Sequence, residues 1–351
     1  MAARNHHLIV AVFAALLLSA CGTSGDGGDD GVGVPGEPRL ETDPALLDAA
    51  LECTPFEHPD KPPVLLVHGT FTHGQEQYNW TYKPLLIERG FDVCTVTYPD
   101  RGFGDMQVSA EYVVHALRRI RAESGRKVAV IGHSQGVAVP RWAIKWWPSA
   151  RNAVEDFVMQ AGPNRGADPV ALFTLLGLVL PEGVNPLATP IPLPAAFRQL
   201  LAASEHMRVV NLGDETPGDI DYTALYTLFD ELVQPVYPIP TAAIDFGKDN
   251  PKVANILLQD LCPGRIVDHV TIGLTDRVSF ELALDAISNP GPANIERAGG
   301  SALCGLPVIP SQVLPVNFLT QILGLLPIEI ANGAPGLNLV IAEPPLKPYA
   351  Q

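Results

Sequence analysis

The stretch Gly132-His133-Ser134-Gln135-Gly136 sets a serine between two glycines, directly after four apolar residues, Val128 to Ile131. A serine hydroxyl is a weak nucleophile; it needs a base in hydrogen-bond reach and donors aimed at the developing oxyanion. Flanking glycines let a chain turn sharply from strand to helix and lift such a hydroxyl above a sheet. Five residues do not separate that turn from an ordinary loop serine, but their surroundings do. An apolar strand pattern precedes Ser134, and Val137, Ala138, Trp142 and Ile144 to Trp147 supply a helical apolar face after it. Pro140 is expected near the start of that helix, where its missing N–H costs least. Ser134 is therefore the candidate nucleophile.

On a strand–turn–helix site of this kind the partners follow in the order serine, acid, histidine. Only His206 and His269 lie beyond Ser134. His206, in LAASEHMRVV, reads as a helix end leading into a strand. His269, in GRIVDHV, reads as the end of a strand that runs out on the same edge as Ser134, which makes it the candidate base. Among ten aspartates between Ser134 and His269, Asp230 follows an alternating apolar run and precedes Pro235, and Asp214 has a similar setting. Asp268 adjoins the base, so its side chain leaves the strand in the opposite direction. The local pattern leaves Asp230 and Asp214 open. For the oxyanion, one donor is the N–H of Gln135, and the second comes from His68-Gly69-Thr70-Phe71-Thr72-His73-Gly74, where Thr70 offers an N–H and a hydroxyl. His68 and His73 are read as shaping that turn.

The elements that must carry these residues are legible as alternation. Apolar runs at 63–69, 91–99, 127–133 and 154–162 read as buried parallel strands, with helical patterns between them. In the clearest helix Val108, Tyr112, Ala116 and Ile120 recur every four residues, with Val113 and Leu117 beside them. Asp105 is its expected N-cap and Gly125 its stop; Arg118, Arg119, Arg121 and Arg126 are assigned to its solvated end. The fold expected is α/β, an open and mostly parallel sheet with helices on both faces. Residues 170–200 are apolar but broken by Gly and Pro, and read either as a cap packed on the core or as a lid that meets lipid.

The first twenty residues stand apart. Arg4 precedes a 13-residue apolar run, Leu8 to Ala20, too short for a bilayer span of about 20 residues and fitting a signal peptide over 1–20. Leu18-Ser19-Ala20-Cys21 resembles the lipobox of bacterial lipoproteins, which makes Cys21 the candidate lipidated N-terminus and the membrane a partner through that anchor. Residues 21–45, rich in glycine and aspartate, read as a flexible tether, with order expected from near Leu46. The main domain then covers 46–305 and a C-terminal extension packed on it covers 306–351. Setting Cys21 aside leaves Cys53, Cys94, Cys262 and Cys304, an even number in a chain read as exported. No cysteine has metal-ligand spacing, and the formal net charge of -15 argues against nucleic acid. No repeat is present, and a monomer is expected.

Taken together, PPVLLVHGTFT, GHSQGVAVPRWAIKWWPS, YTLFDELVQP and VDHVTIGLT resemble the lipase B family of α/β-hydrolases, in order, from about Pro62 to Cys304. The resemblance implies an α/β-hydrolase fold, a triad of Ser134, Asp230 and His269, oxyanion donors at Thr70 and Gln135, and disulfides Cys53–Cys94 and Cys262–Cys304. It selects Asp230 over Asp214. The sequence departs from the family at Gly162-Pro163-Asn164, where the family carries an aspartate, and matches it poorly after Leu306. The expected activity is hydrolysis of lipid-like carboxylic esters through an acyl-serine, without metal or organic cofactor. A non-catalytic lipid-binding lipoprotein and an acyltransferase using the same acyl-enzyme are the alternatives.

Overall fold

The computed structural model describes residues 33–168, 190–309 and 335–351. The expected signal peptide, Cys21, most of the tether and residues 170–189 of the cap or lid lie outside the described residues.

Among the described residues seven strands form one sheet: β1 (Leu51–Cys53), β2 (Val64–Val67), β3 (Val93–Val96), β4 (Val128–His133), β5 (Val154–Gln160), β7 (Asp221–Tyr226) and β8 (Val253–Leu257), ordered β1-β3-β2-β4-β5-β7-β8. A separate antiparallel pair joins β6 (Leu193–Pro194) to β9 (Leu339–Val340). Only β1 runs antiparallel in the main sheet. Parallel strands need long crossovers, so helices cover both faces and the strands are buried on both sides. The alternation is visible in β2 and β4: Leu65, Val67, Val128 and Val130 enter one core, Val64, Leu66, Ala129 and Ile131 the other. Because β2, β4 and β7 are parallel, the loops after all three leave from one edge. That edge receives the glycine-threonine loop, Ser134 and Asp230.

The helix Met106–Ser124 has the expected caps: the Asp105 side chain accepts from Gln107 N, and Gly125 ends it in a left-handed turn. It is less amphipathic than its stripe suggests, because Glu111, His115 and Arg118 on its other side are buried too. Arg118 is not at a solvated end. It pairs with Glu37, and its Nε donates to Ser149 Oγ at 2.9 Å. Glu37 also accepts from Ser149 N, and the Pro38 carbonyl accepts from Trp147 Nε1. Order therefore begins well before Leu46, because these buried groups need the 37–42 segment as partner; Glu111 takes the N–H groups of Glu41 and Thr42. Pro140 lies inside the helix Gln135–Trp146 rather than at its start. At the other terminus the described part of the extension packs on the same face: Trp142 Nε1 donates to Tyr349, and Gln107 holds Lys347 N and Pro345 O.

Glu37→Ala should lower unfolding stability by about 2 kcal/mol, because it removes the carboxylate that pairs with the Arg118 guanidinium, whose side chain is 5% exposed, and accepts from Ser149 N. Urea denaturation reads this as a lower midpoint with the same slope; an unchanged midpoint would mean the segment is not held by this pair.

Candidate active site

Ser134 follows β4 and caps the start of the helix Gln135–Trp146, with φ 56° and ψ −126°. A residue with a Cβ rarely adopts a positive φ, and such strain survives only where the surroundings over-determine it. Here Ser134 N donates to Gln160 O and Val137 N to Ser134 O, both at 2.9 Å. The glycines are there for space rather than for φ. A Cβ at Gly132 would lie 2.1 Å from Gly136 O, and one at Gly136 would lie 2.1 Å from Val67 O. The turn is thus backbone pressed on backbone, and the side chain between the glycines is driven outward.

It meets His269. Ser134 Oγ lies 2.8 Å from His269 Nε2, and His269 Nδ1 lies 3.0 Å from both carboxylate oxygens of Asp230. The tautomer that satisfies both contacts has Nδ1–H donating to Asp230 and Nε2 accepting from the serine hydroxyl. Asp230 Oδ1 also takes N–H bonds from Leu232 (2.9 Å) and Val233 (2.7 Å). Burial would raise its pKa, but the His269 contacts and these two N–H groups bring it below the usual carboxylate value. For His269 burial works downward and the adjacent Asp230 carboxylate works upward; the upward effect wins, and the imidazolium is favoured relative to ordinary histidine.

A second, neutral histidine stands behind the first. His133 Nε2 donates to the His269 carbonyl at 2.7 Å, and its Nδ1 accepts from Gln77 Nε2 at 3.3 Å. Burial, aided by the His269 charge, lowers its pKa to about 3. Gln77 Oε1 in turn accepts from Gly69 N and Thr72 Oγ1. His269 is thereby tied to the loop after β2. In that loop Thr70 Oγ1 donates to Gln135 Oε1 at 2.5 Å, so the two expected oxyanion residues touch. Gln135 is the first helical residue, and the N–H groups of a first helical turn have no intrahelical acceptor.

The remaining sequence candidates separate cleanly. Asp214 lies ahead of β7, at the edge opposite the one Asp230 follows, and its carboxylate turns back on Thr216 N. His206 lies within the helix Glu205–Val210, ahead of β7 and separated from it by residues 211–220, stacked on Trp142 at 4.1 Å and fully buried. His68 stacks on Tyr98, and His73 caps the helix Gly74–Tyr78. Asp268 bonds to Thr271. The expectation that His269 ends a strand is corrected: its loop makes one isolated bridge, Phe229 with Asp268. The turn after β7 offers no longer partner, and Thr227 Oγ1 donating to Val267 O replaces a ladder. Cys262 joins Cys304, closing the chain around this loop, and Cys53 joins Cys94 across β1 and β3. Gln77, His133 and Glu231, whose carboxylate accepts from His269 N at 3.1 Å, were not singled out from sequence. Only His133 had a signal, its place beside Ser134.

A cavity of about 120 Å³ lies over Ser134 and His269, walled by Phe71, Phe197, Leu200 and Val233, among others. The alpha/beta hydrolase family model matches residues 64–298. The chain belongs to the alpha/beta hydrolase family. Lipase B of Pseudozyma antarctica is 28% identical over 328 residues, 90% of this chain and 87% of that protein. The crystal structure of Aspergillus fumigatus lipase B superposes with a TM-score of 0.73 at 28% identity, over 91% of this chain and 74% of that one. A Bacillus licheniformis lipase in its propeptide form, 19% identical, shares the fold with a TM-score of 0.50, over 70% of this chain and 54% of that one. This chain is a lipase B-like α/β-hydrolase. In it Gly136→Ala should cost about 3 kcal/mol or more, since the new methyl meets backbone rather than a movable side chain. A thermal melt within a degree of the parent would show that the turn relaxes at little cost.

Proposed function

We propose that this hydrolase is an exported, lipid-anchored enzyme that cleaves carboxylic esters of lipid-like acids through an acyl-serine intermediate. The observation that carries the reading is Ser134 Oγ at 2.8 Å from His269 Nε2, with Asp230 on the far nitrogen of the same ring. Ser134 attacks the ester carbonyl while His269 takes its proton. His269 then gives that proton to the leaving alcohol, and water repeats the sequence on the acyl-enzyme. Asp230 fixes the ring orientation and stabilises the imidazolium. The N–H of Gln135, at a helix N-terminus, and Thr70 receive the oxyanion. For Thr70 this requires its hydroxyl to turn from the Gln135 carboxamide to the substrate oxygen, or its N–H to serve instead. Export and anchoring are supported by the apolar run Leu8 to Ala20, by Cys21 after it, and by the two disulfides. Lipid-like substrates are supported by the apolar cavity walls and by the likeness to lipase B.

Purified protein should hydrolyse p-nitrophenyl butyrate, and Ser134→Ala should lower kcat by about 10⁴-fold or more; equal turnover by both would remove Ser134 from the mechanism. The pH profile carries a sign. His269 must be neutral to accept the proton, and its pKa lies above the ordinary 6.5. Activity should therefore fall as pH drops through a value above 6.5. Asp230→Asn removes the support of the imidazolium, so the inflection should move to lower pH while kcat drops. An inflection that stays in place would separate Asp230 from the base.

A further inference from the structure

Phe71 stands between two cavities and is, among the described residues, the one side chain lining both. On one side is the cavity of about 120 Å³ that holds Ser134 and His269. On the other is a larger one of about 530 Å³, walled by Leu46, Ala49, Tyr98, Phe103 and Leu337. Cavities that hold organic ligands run from about 300 to 1,000 Å³. The catalytic cavity falls below that range and its neighbour within it. A short acyl group fits over Ser134, but a long chain needs space beyond.

The ring divides the two spaces while the backbone beneath it is fixed. Phe71 has φ 74°, a left-handed conformation unusual for a bulky residue. Its N–H donates to Arg101 O at 2.8 Å, and its carbonyl accepts from Arg101 Nη1 at 3.0 Å. The ring is half-buried and meets its neighbours edge-on, Phe103 at 5.2 Å on the large-cavity side and Phe197 at 6.0 Å on the catalytic side. With the main chain clamped on both sides, rotation about the side-chain bonds is the motion left to open the partition. Polar groups at the rim of the large cavity have partners in the protein. Arg101 pairs with Glu76, and Asp100 accepts from Asn338. What they leave for a guest is chiefly apolar surface.

Which half of an ester would enter follows from the proton. The leaving oxygen must reach His269 Nε2, so the alcohol lies against the His269 loop. Phe71 adjoins Thr70 in the expected oxyanion loop, so the acyl half, which carries no atom that His269 must reach, is the half assigned to its side.

We propose that the Phe71 ring is a door and that the cavity behind it takes the distal carbons of long acyl chains. The proposal rests on the ester-hydrolase reading above.

The test uses p-nitrophenyl esters from acetyl to palmitoyl, scored as the myristoyl-to-butyryl ratio of kcat/KM. Ala49→Trp, which sets an indole at the exposed wall of the large cavity, should lower that ratio by roughly tenfold or more, as loss of several apolar contacts does. Phe71→Leu, which keeps an apolar side chain but opens the partition, should raise it. If both variants fold and neither moves the ratio, the door is refuted while the hydrolase stands. If Phe71→Leu is inactive on every ester, Ala49→Trp decides alone. A parallel series of acetyl esters of long alcohols should show no effect of Ala49→Trp; a fall there instead would assign the cavity to the alcohol and overturn the acyl assignment. No turnover of any ester by the parent protein would refute the hydrolase reading itself, and this proposal with it.

Discussion

The contact on which the site depends is backbone against backbone. Gly136, in the first turn of its helix, lies so close to the carbonyl of Val67 on β2 that no side chain fits between them. Gly132 and Gly136 approach each other as closely. This packing drives the helix N-terminus onto the strand ends and holds Ser134 at φ 56°. The positive φ is not itself a source of reactivity. It fixes where the hydroxyl stands, and the helix that opens at Gln135 brings its first N–H groups to the same place. The cost of the strained turn is borne by the buried parallel sheet on either side.

His269 sits on a loop with a single sheet-like bridge, so its position needs other restraints. They come from its two sides. The Asp230 carboxylate takes the ring N–H, Glu231 takes the main-chain N–H, and His133 donates to the main-chain carbonyl. The two histidines lie close, with ring centroids 5.2 Å apart, yet their proton affinities move in opposite directions. The difference is the partner. His269 faces a buried carboxylate, whereas His133 faces a carbonyl and a carboxamide and pays the full cost of burying charge. A protonated His133 beside a protonated His269 would oppose the imidazolium that the proposed mechanism uses. Through Gln77 the same chain of bonds reaches Gly69 and Thr72, so His269 and the loop that carries Thr70 share one scaffold.

Much of this was legible because it follows from period and from types at fixed places. The four central strands, the caps of Met106–Ser124 and the serine turn came from alternation, from Asp105 and Gly125, and from two glycines. The choice of Asp230 over Asp214 was not legible locally. Both follow apolar runs before Pro-containing stretches, and only the direction of β7 puts one at the site edge and the other at the opposite edge. Arg118 was misplaced because an arginine beside three others looks solvated; its partner, Glu37, is remote in sequence, inside a stretch that composition marks as tether. Gln77 gave no signal, since a glutamine in a short helix is ordinary until a backbone loop folds over it. Phe71 was quoted within its motif but carries its meaning through the two spaces it divides, which no pattern records.

The central claim is that Ser134 is activated by His269 and not merely near it. Incubation with diethyl p-nitrophenyl phosphate, followed by peptide mass spectrometry, tests this without any assumption about the natural ester. The account predicts one phosphoryl adduct per chain, on the peptide containing Ser134, and its loss in His269→Ala. An unmodified Ser134 in folded protein, or equal labelling with and without His269, would contradict it.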